Sequence, residues 1–106
     1  MVKLIAAIKR LPQMPHEEFV RYWLEEHSKL ASQTPHLRRY VINIVDRSFF
    51  PRNEPPFDGF AEMWFDTVEE MNEGMAWRKT DGLREDEKKF IGEIQGVVVR
   101  EHVIIE

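Results

Sequence analysis

His27 is the residue best suited to chemistry in a stretch that otherwise predicts core packing. The segment EEFVRYWLEEHSKLA, residues 17–31, reads as a helix. At about 3.6 residues per turn, one face of that helix carries Phe19, Trp23, His27 and Leu30. A buried imidazole must find partners for two nitrogens, a cost that leucine would avoid. His27 is therefore either a core histidine hydrogen-bonded to a strand carbonyl or a general acid or base kept for catalysis.

Asn43 and Glu62 are polar residues in the middle of predicted strands that are otherwise apolar. They could form a structural pair or lie at the rim of a subunit interface. In one cavity with His27 they would supply a polar anchor and a carboxylate beside an acid/base group, which suits proton transfer on a small carbonyl or phenol substrate. Tyr40 is a further candidate, but strand alternation places it on the opposite face from Asn43.

Other kinds of site lack their motifs. The four histidines have no short ligand spacing, and the chain contains no H-E-x-x-H, G-x-S-x-G, G-x-G-x-x-G or phosphate-loop pattern. The absence of cysteine excludes disulfides, thiolate metal sites and cysteine nucleophiles, and it fits a reducing cytoplasm. We therefore expect a cytoplasmic protein whose site uses no metal.

The composition predicts one small globular domain over residues 1–106, with 42% hydrophobic and 32% charged residues. The net charge is −4, and basic residues never cluster beyond a pair, so we expect no nucleic-acid partner. No apolar run approaches the roughly 18 residues that a membrane-spanning helix needs, so we expect no membrane partner.

The order of the predicted elements is strand, helix, strand, strand, helix, strand. Thr67 and Glu70 form a capping box that starts the second long helix, whose apolar stripe is Val68, Met71 and Met75. The predicted ranges are strands at 2–9, 38–45, 59–66 and 97–106, and helices at 15–32, from 67 to about 78, and at 84–94, the last one ended by Gly96. This order is typical of the ferredoxin-like βαββαβ sandwich, an α+β fold with helices on one face of an antiparallel four-stranded sheet.

The other face of this sheet also carries apolar side chains. Met63, Trp64 and Phe65 are consecutive in one predicted strand, so both of its faces are apolar. An uncovered face would expose a large apolar patch to water. Because two-fold dimers are the commonest way to bury such a patch, we predict a homodimer with its sheets face to face.

Three segments together resemble the EthD family, which is named for a protein of ethyl tert-butyl ether degradation and belongs to the dimeric α+β barrels. They are MVKLIAAIKRLPQMPHEEFVRYWLEEHSKLA, LRRYVINIV and FDGFAEMWFD. The most specific part is the pattern Phe19-x-x-Tyr22-Trp23-x-x-x-His27, with Asn43 and the strand DGFAEMWF following it. The likeness extends over nearly the whole chain.

The resemblance implies a dimeric α+β barrel and a small cofactor-free enzyme, such as an isomerase, dehydratase, cyclase or oxygenase acting on lactones, quinones or polyketide-like rings. It also implies that His27 lies in a pocket between sheet and helices, because it matches the family's helix histidine. Two positions depart from the family pattern: Ile44 replaces a frequent histidine, and Met14 replaces a helix-capping Ser or Thr. The first departure argues against a two-histidine mechanism.

The leading hypothesis is an isomerase, dehydratase or cyclase with His27 as general acid/base. Glu62 would orient it or bind a substrate proton donor, and Asn43 would hydrogen-bond a substrate oxygen. The remaining candidates for substrate contact are Trp23, Tyr40 and Trp64, although the two tryptophans also fit a core role. The alternatives are a binding or accessory protein that holds a metabolite without converting it, and an oxidoreductase or oxygenase of the same barrel class.

Overall fold

A computed structural model describes residues 1–106. Its elements are β1 (Val2–Arg10), α1 (His16–Arg21), a π-helical turn (Tyr22–His27), α2 (Ser28–Ala31), β2 (Arg39–Ile44), a short 3-10 helix (Arg47–Phe49), β3 (Gly59–Phe65), α3 (Val68–Thr80), α4 (Leu83–Glu87) and β4 (Ile91–Val99). The strands form one antiparallel sheet in the order β2-β3-β1-β4. The predicted ferredoxin-like fold is therefore confirmed. No helix is long and apolar enough to cross a lipid bilayer.

The helix boundaries follow local signals in the sequence. The Thr67 side chain accepts a hydrogen bond from the Glu70 backbone N–H at 3.1 Å, so it caps α3 as predicted. Pro15 has extended dihedrals immediately before α1, and no side chain caps that helix. Gly82 has a φ of 83°, a left-handed conformation that glycine adopts without strain, and this turn separates α3 from α4.

The prediction of a helix over 84–94 is wrong beyond Glu87. Phe90 is fully buried as expected, but Ile91 and Ile94 belong to β4, which ends at Val99. Gly96, predicted to end the helix, pairs with Ala6 in the middle of the sheet. The reason is tertiary: β1 offers an open edge along its whole length, and pairing with it satisfies the backbone of residues 91–99.

The helices cover one face of the sheet. In the register of β1 with β3, Leu4 lies opposite Met63 and Ala6 opposite Ala61, and all four point toward the helices. Phe19 and Trp23 pack on this face in a cluster that also contains Ala6, Ile8, Ala61 and Phe90. Gly59 is required there, since a Cβ at this position would lie 2.5 Å from the Trp23 ring.

The opposite face has no helix over it. Strand alternation places Ile5, Val41, Phe60 and Val97 there, and Val97 is 58% exposed. The uncovered apolar face that the sequence predicts is therefore present in the subunit.

Candidate active site

His27 is almost completely buried, with 3% of its surface exposed. Its Nδ1 lies 2.8 Å from Oδ2 of Asp86 in α4, and its ring packs against Phe90 at a centroid distance of 4.8 Å. Of the two alternatives for His27, a core histidine bonded to a strand carbonyl is therefore wrong, because the partner is a carboxylate. In neutral His27, Nδ1 carries the proton and donates it in a hydrogen bond to Asp86. Nε2 is then the unprotonated nitrogen, and its lone pair can accept a proton.

The π-helical turn aligns a second side chain with Asp86. Tyr22 begins this turn and His27 ends it, and the Tyr22 hydroxyl donates to Oδ1 of Asp86 at 2.5 Å. In a regular α-helix, residues at i and i+5 would point about 140° apart. The wider turn, with its hydrogen bonds to the residue five positions away, brings both side chains to one carboxylate. Such turns occur frequently at functional sites.

Burial and hydrogen bonding fix the protonation states of these three groups. Burial lowers the pKa of His27, and the hydrogen bond and charge of Asp86 only partly oppose this. Burial alone would raise the pKa of Asp86, but the hydrogen bonds from Tyr22 and His27 outweigh it and the pKa is lowered. Burial is the main cause that raises the pKa of Tyr22 to about 12, and the hydrogen bond to Asp86 and the charge of Asp86 add to the shift. At neutral pH the site therefore holds a neutral imidazole, an ionised carboxylate and a phenol.

We predict that His27 makes the protein less stable in mild acid. Its pKa in the fold lies below the unfolded value of about 6.5, so the unfolded chain binds this proton first as the pH falls. The stability it contributes is complete above pH 6.5 and is lost as the pH falls through the lowered pKa. Urea unfolding at pH 7 and pH 5 should therefore show a smaller loss in His27→Gln than in the unsubstituted protein.

Two other groups do not obscure this comparison. The pKa of His16 is also lowered, chiefly by burial, but His16 is present in both proteins and cancels. The pKa of Asp86 is lowered by its hydrogen bonds from Tyr22 and His27, so Asp86 titrates below this pH window. Equal losses of unfolding free energy in the two proteins would contradict the prediction.

A cavity of about 420 Å³ lies between the sheet and helices α3 and α4, a volume suited to a small organic molecule. Sheet side chains form one wall and helix side chains the other; the lining is Leu4, Ala6, Met63, Met75, Arg78, Lys79, Arg84, Glu87, Ile94 and Gly96. His27 is not part of this lining. The cavity instead reaches Glu87, the neighbour of Asp86 in the chain.

An ion pair at the cavity lies close enough to His27 for its charges to act on the pKa of the imidazole. Nη2 of Arg78 lies 3.1 Å from Oε2 of Glu87, and both side chains line the cavity. Their charges also act on the pKa of His27, Glu87 raising it and Arg78 lowering it. Arg78 is held further by Thr34, whose hydroxyl accepts from Nη1 at 3.2 Å. Burial lowers the pKa of Arg78, and the charge of Glu87 opposes this shift.

The structure brings Asn43 and Glu62 together, but not with His27. Asn43 Nδ2 donates to Oε1 of Glu62 at 2.9 Å, and Lys3 Nζ lies 2.7 Å from Oε2. The hydrogen bond from Lys3 is the main cause that lowers the pKa of Glu62, and the hydrogen bond from Asn43 adds to the shift. In the register Glu62 is opposite Ile5 and Val41, on the sheet face away from the helices. The prediction of one cavity holding all three is wrong, since the sheet separates them within the subunit.

The aromatic candidates divide between the two faces. Trp23 is a buried core residue, and Tyr40 lies on the helix-covered face, opposite Met63 in the register. Burial raises the pKa of Tyr40. Trp64 lies on the other face, where the Lys3 ammonium and the Arg39 guanidinium stand 4.7 and 4.6 Å from its ring centroid. Strand alternation had correctly separated Tyr40 from Asn43.

Sequence reasoning missed Asp86, Glu87 and Arg78. Asp86 and Glu87 belong to the acidic and basic run REDEKK, in which no single carboxylate stands out. Arg78 follows Trp77 near the end of α3, where a basic residue is ordinary because it complements the helix dipole. Only the folding of α4 against the first helix distinguishes these three residues.

The fold and the site define a small ferredoxin-like α+β protein with a buried histidine–carboxylate pair beside a cavity of ligand size. The model of the EthD domain matches residues 11–93. The chain therefore belongs to the EthD family, as its motifs predict.

Solved structures agree with this assignment. An EthD family protein from Bacillus halodurans C-125 is 26% identical, with a TM-score of 0.77 over 96% of this chain and 99% of that one. A dimeric ferredoxin-like protein of unknown function from Thermobifida fusca YX is 12% identical, with a TM-score of 0.69 over 92% of this chain and 88% of that one. SnoaB, a cofactor-independent oxygenase from Streptomyces nogalater, is 8% identical, with a TM-score of 0.69 over 99% of this chain and 97% of that one. The last two show the fold alone. A search of curated proteins finds no match.

Proposed function

We propose that this protein binds a small organic molecule in the cavity beneath α3 and α4 and catalyses proton transfer on it, with His27 as the general base. One observation carries the proposal: Asp86 holds Nδ1 of His27 at 2.8 Å, while Nε2 has no hydrogen-bond partner in the chain. The fully buried side-chain nitrogen without a partner is Nε2 of His16. Nε2 of His27 also lacks a partner but is not among the fully buried atoms, so it keeps some accessible surface. Because His27 lies outside the lining of the cavity, the proposal requires that the substrate extend from the cavity past Glu87 to reach Nε2.

This arrangement suits a base that works near neutral pH. Burial keeps His27 neutral, and Asp86 fixes the ring orientation and stabilises the imidazolium that forms when Nε2 takes a proton. Nε2 would remove a proton from a C–H bond next to a carbonyl, leaving an enolate. The imidazolium would return the proton at another carbon, or to a leaving hydroxyl. These steps describe an isomerisation, a dehydration or the proton transfers of a cyclisation, and none of them uses a metal.

Deuterium exchange tests the proposal without knowledge of the natural substrate. Ring compounds with an acidic C–H next to a carbonyl, such as butenolides and cyclic 1,3-diketones, would be incubated with the protein in D₂O and followed by proton NMR. We expect faster exchange with at least one compound, and a rate that falls in acid as the pH passes through the pKa of His27, which burial lowers from its ordinary value of about 6.5. Exchange no faster than in buffer for the whole panel would overturn the proposed catalysis.

A binding protein without catalysis is the second candidate, and it is favoured by one observation: His27 does not line the cavity. In that case a compound of the panel would bind saturably and no exchange would follow. An oxygenase is a third candidate, supported only by the fold shared with SnoaB. Oxygen consumption in the presence of a bound compound would favour it over proton transfer.

We also propose that two subunits pair through the uncovered sheet face, as a homodimer. The exposed Val97 supports this, as does the dimeric state of the Thermobifida fusca relative. Val97→Asp should produce monomers in sedimentation at micromolar concentration. Leu24→Asp, at a 45% exposed position on the helical side, should remain dimeric. A monomeric unsubstituted protein would contradict the pairing.

The cytoplasmic location suggested by the lack of cysteine stays a prediction.

A further inference from the structure

The cavity beneath α3 and α4 carries an excess of positive charge in a chain whose net charge is −4. Three cationic side chains line it, Arg78, Lys79 and Arg84, against one carboxylate, Glu87. Glu87 is already paired with Arg78 at 3.1 Å. The charges of Lys79 and Arg84 are therefore left without an opposite charge at the cavity.

Lys79 and Arg84 are free to bind a ligand. Neither forms a salt bridge or a side-chain hydrogen bond within the chain, whereas the neighbouring Lys88 is paired with Glu85 at 3.1 Å. Both side chains are exposed, so they lie at the mouth of the cavity. A guanidinium can bind a carboxylate through two parallel hydrogen bonds, and an ammonium adds a point charge.

The inner wall is apolar and has unused space. It is formed by the sheet residues Leu4, Met63 and Ile94, with the small residues Ala6 and Gly96 between them. A Cβ added at Gly96 would find only the Ile5 carbonyl oxygen, 4.0 Å away. The sheet therefore leaves room for a ring below the two cations.

We propose that this cavity selects a ring compound that carries a carboxylate group. Arg84 and Lys79 bind the carboxylate at the mouth, and the wall around Ala6 and Gly96 holds the ring. The inference rests on the proposed function in taking this cavity as the substrate site, but the binding it describes does not require catalysis.

A pair of probes of the same shape tests the charge requirement. 2-Naphthoate and its neutral counterpart 2-naphthamide would each be titrated into the protein in a calorimeter. A charge-assisted hydrogen bond should make the Kd of the naphthoate roughly tenfold lower or better. The double variant Arg84→Gln/Lys79→Gln should lose this preference and keep its affinity for the amide. Lys29→Gln removes an exposed lysine of α2 outside the cavity, so this control should keep the preference.

A variant of the apolar wall tests whether the probes bind in this cavity. Gly96→Leu should fill the wall and abolish binding of both probes with little change in melting temperature, whereas the volume-conserving Ile94→Leu should bind both. Equal affinity for the two probes, no binding of either, or an unchanged preference in the double variant would overturn the inference. Naphthoate preference without deuterium exchange on any compound would instead keep the inference and overturn only the proposed catalysis.

Discussion

His27→Gln is expected to lower the rate of catalysed deuterium exchange by about 10²–10⁴-fold, the usual contribution of a general base. Glutamine can still hydrogen-bond Asp86 through its amide, but it has no nitrogen that accepts a proton near neutral pH. The exchange rate would be measured by proton NMR at pH 7 on the compound that exchanges fastest with the unsubstituted protein. The acid limb of the pH profile should disappear together with the rate.

Two controls separate loss of the base from loss of the fold. His102→Gln removes an exposed histidine beyond β4 and should leave the exchange rate unchanged. The affinity of the His27→Gln protein for 2-naphthoate should also persist, because His27 does not line the cavity. A variant that folds, binds the probe and still exchanges at the original rate would exclude His27 as the base.

Asp86→Ala is expected to lower the free energy of unfolding by about 2–4 kcal/mol. The change leaves two donors without an acceptor, the Tyr22 hydroxyl and Nδ1–H of His27, which now bond to the two oxygens of Asp86. It also removes the polar link between α4 and the π-helical turn. Urea unfolding at pH 7 would measure the effect, and Tyr22→Phe, which removes one of the two bonds, should cost less.

Glu85→Ala is the matched control for this prediction. Glu85 lies in the same helix, but it is exposed, and its only ion pair is with the exposed Lys88. Surface pairs of this kind contribute little, so we expect a change within about 0.5 kcal/mol. If Asp86→Ala were as mild as Glu85→Ala, the Tyr22–Asp86–His27 cluster would contribute little to holding α4 in place.

Local signals were sufficient to predict most of the elements and the family. The helical stripe predicted burial of Phe19, Trp23, His27 and Leu30. The first three are buried because they face the sheet, and Leu30 is half-buried. The capping box at Thr67 predicted the start of α3. These predictions succeeded because each depends on the period of a helix or strand, or on contacts a few residues apart.

Local sequence patterns could not predict which distant parts of the chain contact each other. Asp86 reaches His27 across 59 residues of sequence, and α4 is too short to have a periodicity of its own. Both faces of β3 are apolar, so the sequence could not show that Glu62 faces away from the helices while Met63 faces toward them. That choice depends on where the helices pack.

The sequence by itself determined the ferredoxin-like order of elements, the family, the burial of His27 and the separation of Tyr40 from Asn43, because these follow from short-range periodicity and from recognisable motifs. Only the tertiary structure decided the partners of His27, the Asn43–Glu62 pair on the other sheet face and the cationic cavity beneath α3 and α4. The π-helical turn and the register of β4 on β1 place these side chains, and both are fixed by packing and by hydrogen bonds between remote segments.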